Sequence, residues 1–302
     1  MKIVIAGGTG FLGNELVHHF ESDRNEVFVL TRGKSKIIGN INYVQWDALS
    51  EGEWENCLID ADVVINLTGK SVNCRYTKSN KQEIISSRVN ATKALQKALN
   101  KLERKPSLWI NASAASIYGQ HPNVLMTEES ITRGNDFSAL VAQKWEEIFF
   151  QEYSTDTRKV ALRISLILGK SGGVFPVFKK LTRLFLGGKM GDGNQKFGWV
   201  HIEDVIRMID FIIQNDELSG PVNCVSPKTP TNQEFMKGMR KSLNVAFGIP
   251  QPKFLLDIGG YFIGTESELI LSSIYAYPKQ LIDNGFKFKF ENHQDALNDL
   301  CK

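Results

Sequence analysis

What most limits the fold of this chain is its opening, "KIVIAGGTGFLGNELV", in which an apolar run passes through clustered glycines into a segment of helical period. A strand that turns through glycines into a helix gathers free backbone N–H groups and the positive end of the helix dipole at one point. That is a seat for a pyrophosphate. The glycines fit two spacings: Gly8, Gly10 and Gly13 read as G-x-G-x-x-G, and Gly7, Gly10 and Gly13 as G-x-x-G-x-x-G. Under either, Gly13 lets the helix pack tightly on the strand.

The runs "KIVIAG", "EVFVLT", "NYVQWD", "DVVINLTG", "SLWINASA" and "KVALRISLILG" alternate with segments of helical period, the pattern of a parallel sheet joined by crossover helices. Ile84, Ile85, Arg88, Val89, Thr92, Leu95 and Leu99 recur at steps of three and four, one buried face of a long helix. After about residue 170 the rhythm changes to "SGGVFPVFKKLTRLFLGGKMGDGNQ", a helix between glycine-rich loops. We therefore expect an α/β protein with a doubly wound parallel sheet over 1–170. A smaller, mixed α/β lobe over 171–302 would form the other wall of a cleft, and the chain is free to cross between them. The loop carrying Gly187, Gly188, Gly191 and Gly193 would face that cleft.

The formal net charge of +3 is small and the basic residues are scattered along the sequence, so neither nucleic acid nor an acidic membrane surface is expected as a partner. Cys57, Cys74, Cys224 and Cys301 lie far apart with no C-x-x-C pair, which argues against zinc and against a disulfide framework. A cytoplasmic setting is the expectation, since the first residues form a strand and not a secretory leader. The most apolar late stretch, "FLLDIGGYFIG", is broken by Asp257 and is too short for a bilayer span. Partners must be argued from the site, and a small molecule is expected.

A carboxylate that holds a free adenosine ribose belongs at the end of the second strand, about 20 residues past the glycines. Here that place holds Thr31 and Arg32, followed by Lys34 and Lys36. A hydroxyl and a guanidinium suit a 2′-phosphate, so the expected cofactor is NADP(H).

Taken together, "GGTGFLG", "LTR", "INLTG", "SSRVNAT", "NASAASIYG" and "LRISLILGKSGG" resemble the extended branch of the short-chain dehydrogenase/reductase superfamily. In that branch the usual register is the one formed here by Gly7, Gly10 and Gly13, on a Rossmann-type sheet. "GGKMGDGNQKFGWVHIEDV", "VNCVSPKTPTNQEF" and "PKQLIDNGFKF" resemble more narrowly the epimerase family proteins, atypical members with a small C-terminal domain. The resemblance runs over nearly the whole chain. It implies that Gly7, Gly10, Phe11, Leu12 and Gly13 belong to the cofactor site, that Asn66, Leu67, Thr68 and Gly69 run along the cofactor, and that Arg88 reaches it from the next helix. It places Ser113 at the catalytic serine position.

One departure matters. The superfamily exchanges protons through a tyrosine and a lysine spaced Y-x-x-x-K on one helix face, where the ammonium lowers the phenol's pKa. The corresponding stretch, "RGNDFSALVAQKWEEIFF", has no tyrosine and leaves Lys144 alone, with Phe137 or Ser138 near the place of the phenol. Tyr275 and Lys279 have the spacing, but Pro278 between them interrupts a helix. Tyr118 is a candidate substitute acid. His201 reads as a strand-end histidine and Asp204 as a helix cap. The expected function is an NADP(H)-binding oxidoreductase or epimerase acting on a small polar or nucleotide-linked substrate, with Ser113 polarising the reacting oxygen. The alternative is a non-catalytic NADP(H)-binding redox sensor or regulatory partner protein.

Overall fold

The computed structural model describes all residues except 23, 152–155 and 264–265. The first half runs β1 (Lys2–Ala6), α1 (Phe11–Phe20), β2 (Glu26–Thr31), β3 (Lys36–Ile38), β4 (Ile41–Gln45), β5 (Val63–Asn66), α2 (Lys78–Lys101), β6 (Leu108–Ala114), α3 (Phe137–Phe150) and β7 (Arg158–Ile164). Then follow β8 (Leu166–Leu168), α4 (Phe175–Arg183), β9 (Trp199–His201), α5 (Ile202–Gln214), β10 (Gly220–Cys224) and α6 (Asn232–Ser242). The chain closes with α7 (Lys253–Ile263), α8 (Glu268–Leu271), α9 (Lys279–Asp283) and α10 (His293–Cys301).

The main sheet has the order β10-β7-β6-β5-β1-β2-β4-β3, parallel throughout except for the short edge strand β3. Parallel strands bury both faces, and β1 shows how: alternation sends Ile3 and Ile5 to one side and Val4 and Ala6 to the other. Ile3 and Ile5 pack with Leu16 and Val17 of α1 and Met208 and Ile209 of α5. Val4 and Ala6 pack with Ala91, Leu95 and Leu99 of α2 and with Trp46 and Trp54. The protein has the Rossmann-type, doubly wound α/β architecture.

The run "KVALRISLILG" does not form one strand. Ser165 gives both its N–H and its hydroxyl to the Cys224 carbonyl, which ends β7, and Leu166–Leu168 pairs instead with Trp199–His201 in a separate two-stranded sheet. The main sheet takes its outermost parallel strand, β10, from well beyond residue 170. Neither β3 nor β10 has the long apolar run by which the other strands are read. The smaller lobe packs around Phe178, Phe197, Trp199, Phe235 and Leu297. The apolar stretch "FLLDIGGYFIG" lies mostly in α7, and its last glycine, Gly264, lies outside the described residues. Among the described residues no helix is long and apolar enough to cross a membrane.

Candidate cofactor cleft and the buried network beside it

The strand order reverses between β1 and β5, and a cleft of about 840 Å³ opens at the carboxyl ends of these strands and of β2. Gly7, Thr9, Gly10, Thr31, Arg32, Leu67, Thr68 and Gly69 line it. So do Trp46, Asp47, Ala48 and Leu49 from the end of β4, and Glu83, Ser86, Ser87 and Asn90 from α2, none of which the sequence reading singled out.

Gly7 has φ +80°, and a Cβ there would come 3.0 Å from the Leu67 carbonyl carbon, so the backbone of the turn touches the end of β5 directly. At Gly13 a Cβ would lie 2.5 Å from the Gly7 oxygen and 2.6 Å from the Gly8 Cα. Both neighbours are backbone and cannot swing aside. Gly10, by contrast, would meet only the Gly7 oxygen, at 3.5 Å. Gly13→Ala is therefore expected to destabilise the fold by about 1–3 kcal/mol, the usual range for overpacking, whereas Gly10→Ala should leave stability unchanged. Urea unfolding of the two variants checks this, and equal midpoints would refute the close approach at Gly13.

The first turn of α1 has no side-chain cap and no acidic residue, so its N–H groups face the cleft mouth without a competing carboxylate. Thr68 Oγ1 is buried without a hydrogen-bond partner. The exposed Arg32 guanidinium makes no ion pair or hydrogen bond among the described residues. The carboxylate of Asp47 accepts from the Leu49 and Ser50 N–H groups of its own turn, which lowers its pKa. An uncapped helix start, an orphaned threonine hydroxyl and an unpaired guanidinium fit a dinucleotide cofactor. Lys36 lies apart from these, in β3 with its ammonium over the Tyr43 ring.

Other residues assigned to the cofactor by resemblance have local partners. The Phe11 ring is covered by Gly169 and Gly172, where any side chain would overlap it, and Leu12 is buried in the core. Asn66 donates to Asn111 Oδ1 at 2.7 Å and accepts from the Thr68 N–H at 3.0 Å, so it fixes the backbone that lines the cleft. Arg88 donates to the Lys70 and Ile84 carbonyls and lies over Trp145. Burial pushes its pKa down to about 10.

Ser113 and Tyr118 lie in one buried network. Ser113 Oγ donates to Glu146 Oε1 at 2.6 Å, and Glu146 is held by two bonds from Arg163, at 2.8 and 2.7 Å. Arg163 also donates to Tyr118 Oη at 2.8 Å, and Tyr118 donates to Asn223 Oδ1 at 2.8 Å. Burial raises the Tyr118 pKa against the opposing pull of Arg163, so the phenol is a weaker acid than usual. Lys144 points to solvent on the outer face of α3. Tyr275 and Lys279 share no helix, because Pro278 caps α9 and Lys279 pairs with Glu129 and Asp283.

His201, at the end of β9, caps α5 by accepting the Glu203 N–H on Nδ1. Asp204 accepts from Lys289 and Phe290 N–H groups and from Arg207, tying the C-terminal segment to α5. The loop with Gly187, Gly188, Gly191 and Gly193 does not line the cleft. Gly187 and Gly188 pack on Thr182 and the Ile249 carbonyl, Gly191 on Leu271, and Gly193 on Lys189 and Gln233, all within the smaller lobe.

Burial lowers the pKa of His201, and of His293 as well, against nearby carboxylates that raise it. Between these depressed values and the ordinary 6.5, the unfolded chain binds more protons than the native one. Stability from both rings is thus complete above about pH 6.5 and is lost as pH falls below it. His201→Asn keeps an N-cap acceptor and should flatten the slope of unfolding midpoint against pH in this window. An unchanged slope in that variant and in His293→Asn would refute the assignment.

Comparison with known proteins agrees with the geometry. The NAD dependent epimerase/dehydratase family model matches residues 3–224, and a C-terminal domain of unknown function (DUF1731) matches 251–300. The chain is 35% identical to the epimerase family protein YfhF of Bacillus subtilis, over 99% of this chain and 98% of that one. It is 33% identical to the epimerase family protein SERP0438 of Staphylococcus epidermidis, over 100% and 99%. Among solved structures, the human epimerase family protein SDR39U1 (isoform 2) with NADPH superposes with a TM-score of 0.88 at 26% identity, covering 100% of this chain and 99% of that one. A nucleoside-diphosphate sugar epimerase from Corynebacterium glutamicum superposes with a TM-score of 0.79 at 28% identity, covering 98% of this chain and 57% of that one. With its glycine turn, its cleft at the strand-order reversal and its C-terminal lobe, the chain belongs to the NAD dependent epimerase/dehydratase family, among the epimerase family proteins.

Proposed function

We propose that the protein binds NADP(H) in the cleft and uses it in an oxidoreductase or epimerase reaction on a small polar or nucleotide-linked substrate. The observation that carries the cofactor half is the Arg32 guanidinium at the end of β2, which lines the cleft and forms no ion pair among the described residues. Titration with both cofactors tests it: NADPH should bind more tightly than NADH. Gly7, Gly10 and the first turn of α1 would hold the pyrophosphate, Thr31 and Arg32 the 2′-phosphate, and Leu67, Thr68 and Gly69 the stretch toward the nicotinamide. The nicotinamide supplies hydride transfer when bound.

For the substrate's proton the chain offers the pair Ser113 and Glu146. The Ser113 proton is directed at the Glu146 carboxylate, so the serine oxygen can accept a hydrogen bond from a substrate hydroxyl and, as it takes that proton, pass its own to Glu146. Glu146 acts through Ser113, and Arg163 holds it in place with two hydrogen bonds. Polarising a substrate carbonyl instead requires the Ser113 hydroxyl to rotate away from Glu146. We expect slow turnover, and once a substrate is found by screening carbonyl compounds and sugar nucleotides with NADPH, Ser113→Ala should lower kcat by roughly 10- to 1000-fold. An unchanged kcat removes Ser113 from the mechanism and moves attention to Tyr118.

A second reading has its own observation. Ser113 and Tyr118 are both engaged in a closed buried network and Lys144 faces solvent, which suits an NADP(H)-binding protein that senses redox state without turnover. Tight NADPH binding with no turnover across the screen would favour it.

A further inference from the structure

The basic residues look scattered along the sequence, but folding gathers some of them. Residues 175–191 and 235–256 carry eight Lys or Arg and no Asp or Glu. The two segments run side by side in the smaller lobe: the Ile249 N–H donates to the Phe185 carbonyl at 2.7 Å, and Gln251 exchanges bonds with Lys189 and Gly191. Lys180, Arg183, Lys189, Lys237 and Lys241 are exposed and make no ion pair among the described residues. Amid them the Phe185 and Phe247 rings stack at 4.9 Å, themselves exposed, next to exposed Leu184 and Ile249.

Phe185 is in the wrong place for a residue chosen by the fold. α4 ends in a Schellman turn, with Phe185 N–H to the Thr182 carbonyl and Leu186 N–H to the Leu181 carbonyl, and Phe185 takes the left-handed position at φ +61°. Glycine or asparagine belongs there. The neighbouring helix α6 ends in the same turn, with Asn244 N–H to Lys241 and Val245 N–H to Arg240, and uses Asn244 at φ +55°. A phenylalanine held in a strained conformation and left 45% exposed serves neither the turn nor the core.

We propose that this face of the smaller lobe docks on an anionic lipid bilayer, with Phe185, Phe247, Leu184 and Ile249 entering the interface and the lysines and arginines meeting acidic headgroups. Apolar side chains ringed by cations are the composition of an interfacial binding surface. α7, which starts two residues after Gln251, adds exposed Phe254, Leu255 and Ile258 to the same lobe. Self-pairing about a two-fold axis fits the charge poorly, since it would set the unpaired cations against their own copies.

Vesicle flotation tests the proposal with the full chain. The protein should float with vesicles of phosphatidylcholine mixed with phosphatidylserine, remain unbound with phosphatidylcholine alone, and come off as salt is raised. Phe185→Asn should weaken binding roughly ten-fold, the order expected for withdrawing one buried phenylalanine, while the thermal unfolding midpoint stays level or rises because the turn is relieved. Lys180→Glu with Arg183→Glu should abolish flotation. The proposal is overturned if anionic vesicles do not bind, or if Phe185→Asn binds them as well as the unmodified protein. It is overturned equally if the surface instead binds polyglutamate but not vesicles, or if sedimentation shows a dimer that Phe185→Asn dissociates.

Discussion

Replacing Arg163 with methionine is expected to destabilise the protein by about 3–5 kcal/mol, a large part of the total stability of a domain of this kind. Arg163 is 1% exposed and makes two bonds to Glu146 and one to Tyr118. Without it, a carboxylate with only Ser113 among the described residues to donate to it remains in the interior, and the Tyr118 oxygen loses its Arg163 donor. Most of the loss comes from the stranded charge and not from the missing attraction. Arg163→Met combined with Glu146→Gln should therefore be more stable than Arg163→Met alone, because a neutral amide can stay buried and still accept from Ser113. Urea unfolding of the two singles and the double gives the coupling. A single-variant loss below about 1 kcal/mol would mean that water reaches Glu146 and that the network is not closed.

The same network shows what the sequence left hidden. The strands, the long helix and the glycine turn were legible because each is written locally, as an apolar run or as glycines at a fixed spacing. β1 through β7 needed no knowledge of their neighbours, apart from β3, which is three residues long and exists only because β4 lies beside it. β10 reads "GPVNC" and is a strand because β7 presents an open edge to it. Ser113 is singled out by its place in a motif, but nothing in the motif points to Glu146, its partner in the structure. Glu146 did leave a trace: it stands on the buried face of α3 with Ala142 and Phe149, where a charge demands an opposite one. Arg163, a charge inside the apolar run of β7, is the answering half. Pairing them across the interior needs the fold, since nothing local says that α3 lies against β7. The cleft-lining residues after β4 were likewise out of reach, because a loop lines a site only by where its flanking strand ends.

Exchanging Arg32 for aspartate should weaken NADPH binding by roughly 10- to 150-fold, the equivalent of one lost charged hydrogen bond of about 1.5 to 3 kcal/mol. The same change should leave NADH binding equal or better, since a carboxylate at the end of β2 can accept from both hydroxyls of an unmodified ribose. The asymmetry is the informative part, because general damage to the cleft would weaken both cofactors alike. The structure favours a clean result: the Arg32 side chain is exposed and has no partner among the described residues, so removing it breaks nothing within the protein. Thr31, whose hydroxyl accepts the Gly33 N–H at 3.3 Å, keeps the turn in place. Lys34 is exposed nearby and attracts a phosphate through water in both proteins, so its contribution cancels, and the measured ratio should grow as salt is lowered and the charge reversal at position 32 is less screened. Calorimetric titration of both cofactors against both proteins, at fixed and then at varied salt, reads the affinities directly. If the unmodified protein binds NADH as tightly as NADPH, Arg32 is only a solvated cation at the rim of the cleft, and the proposed cofactor is wrong even though the fold and the glycine turn stand.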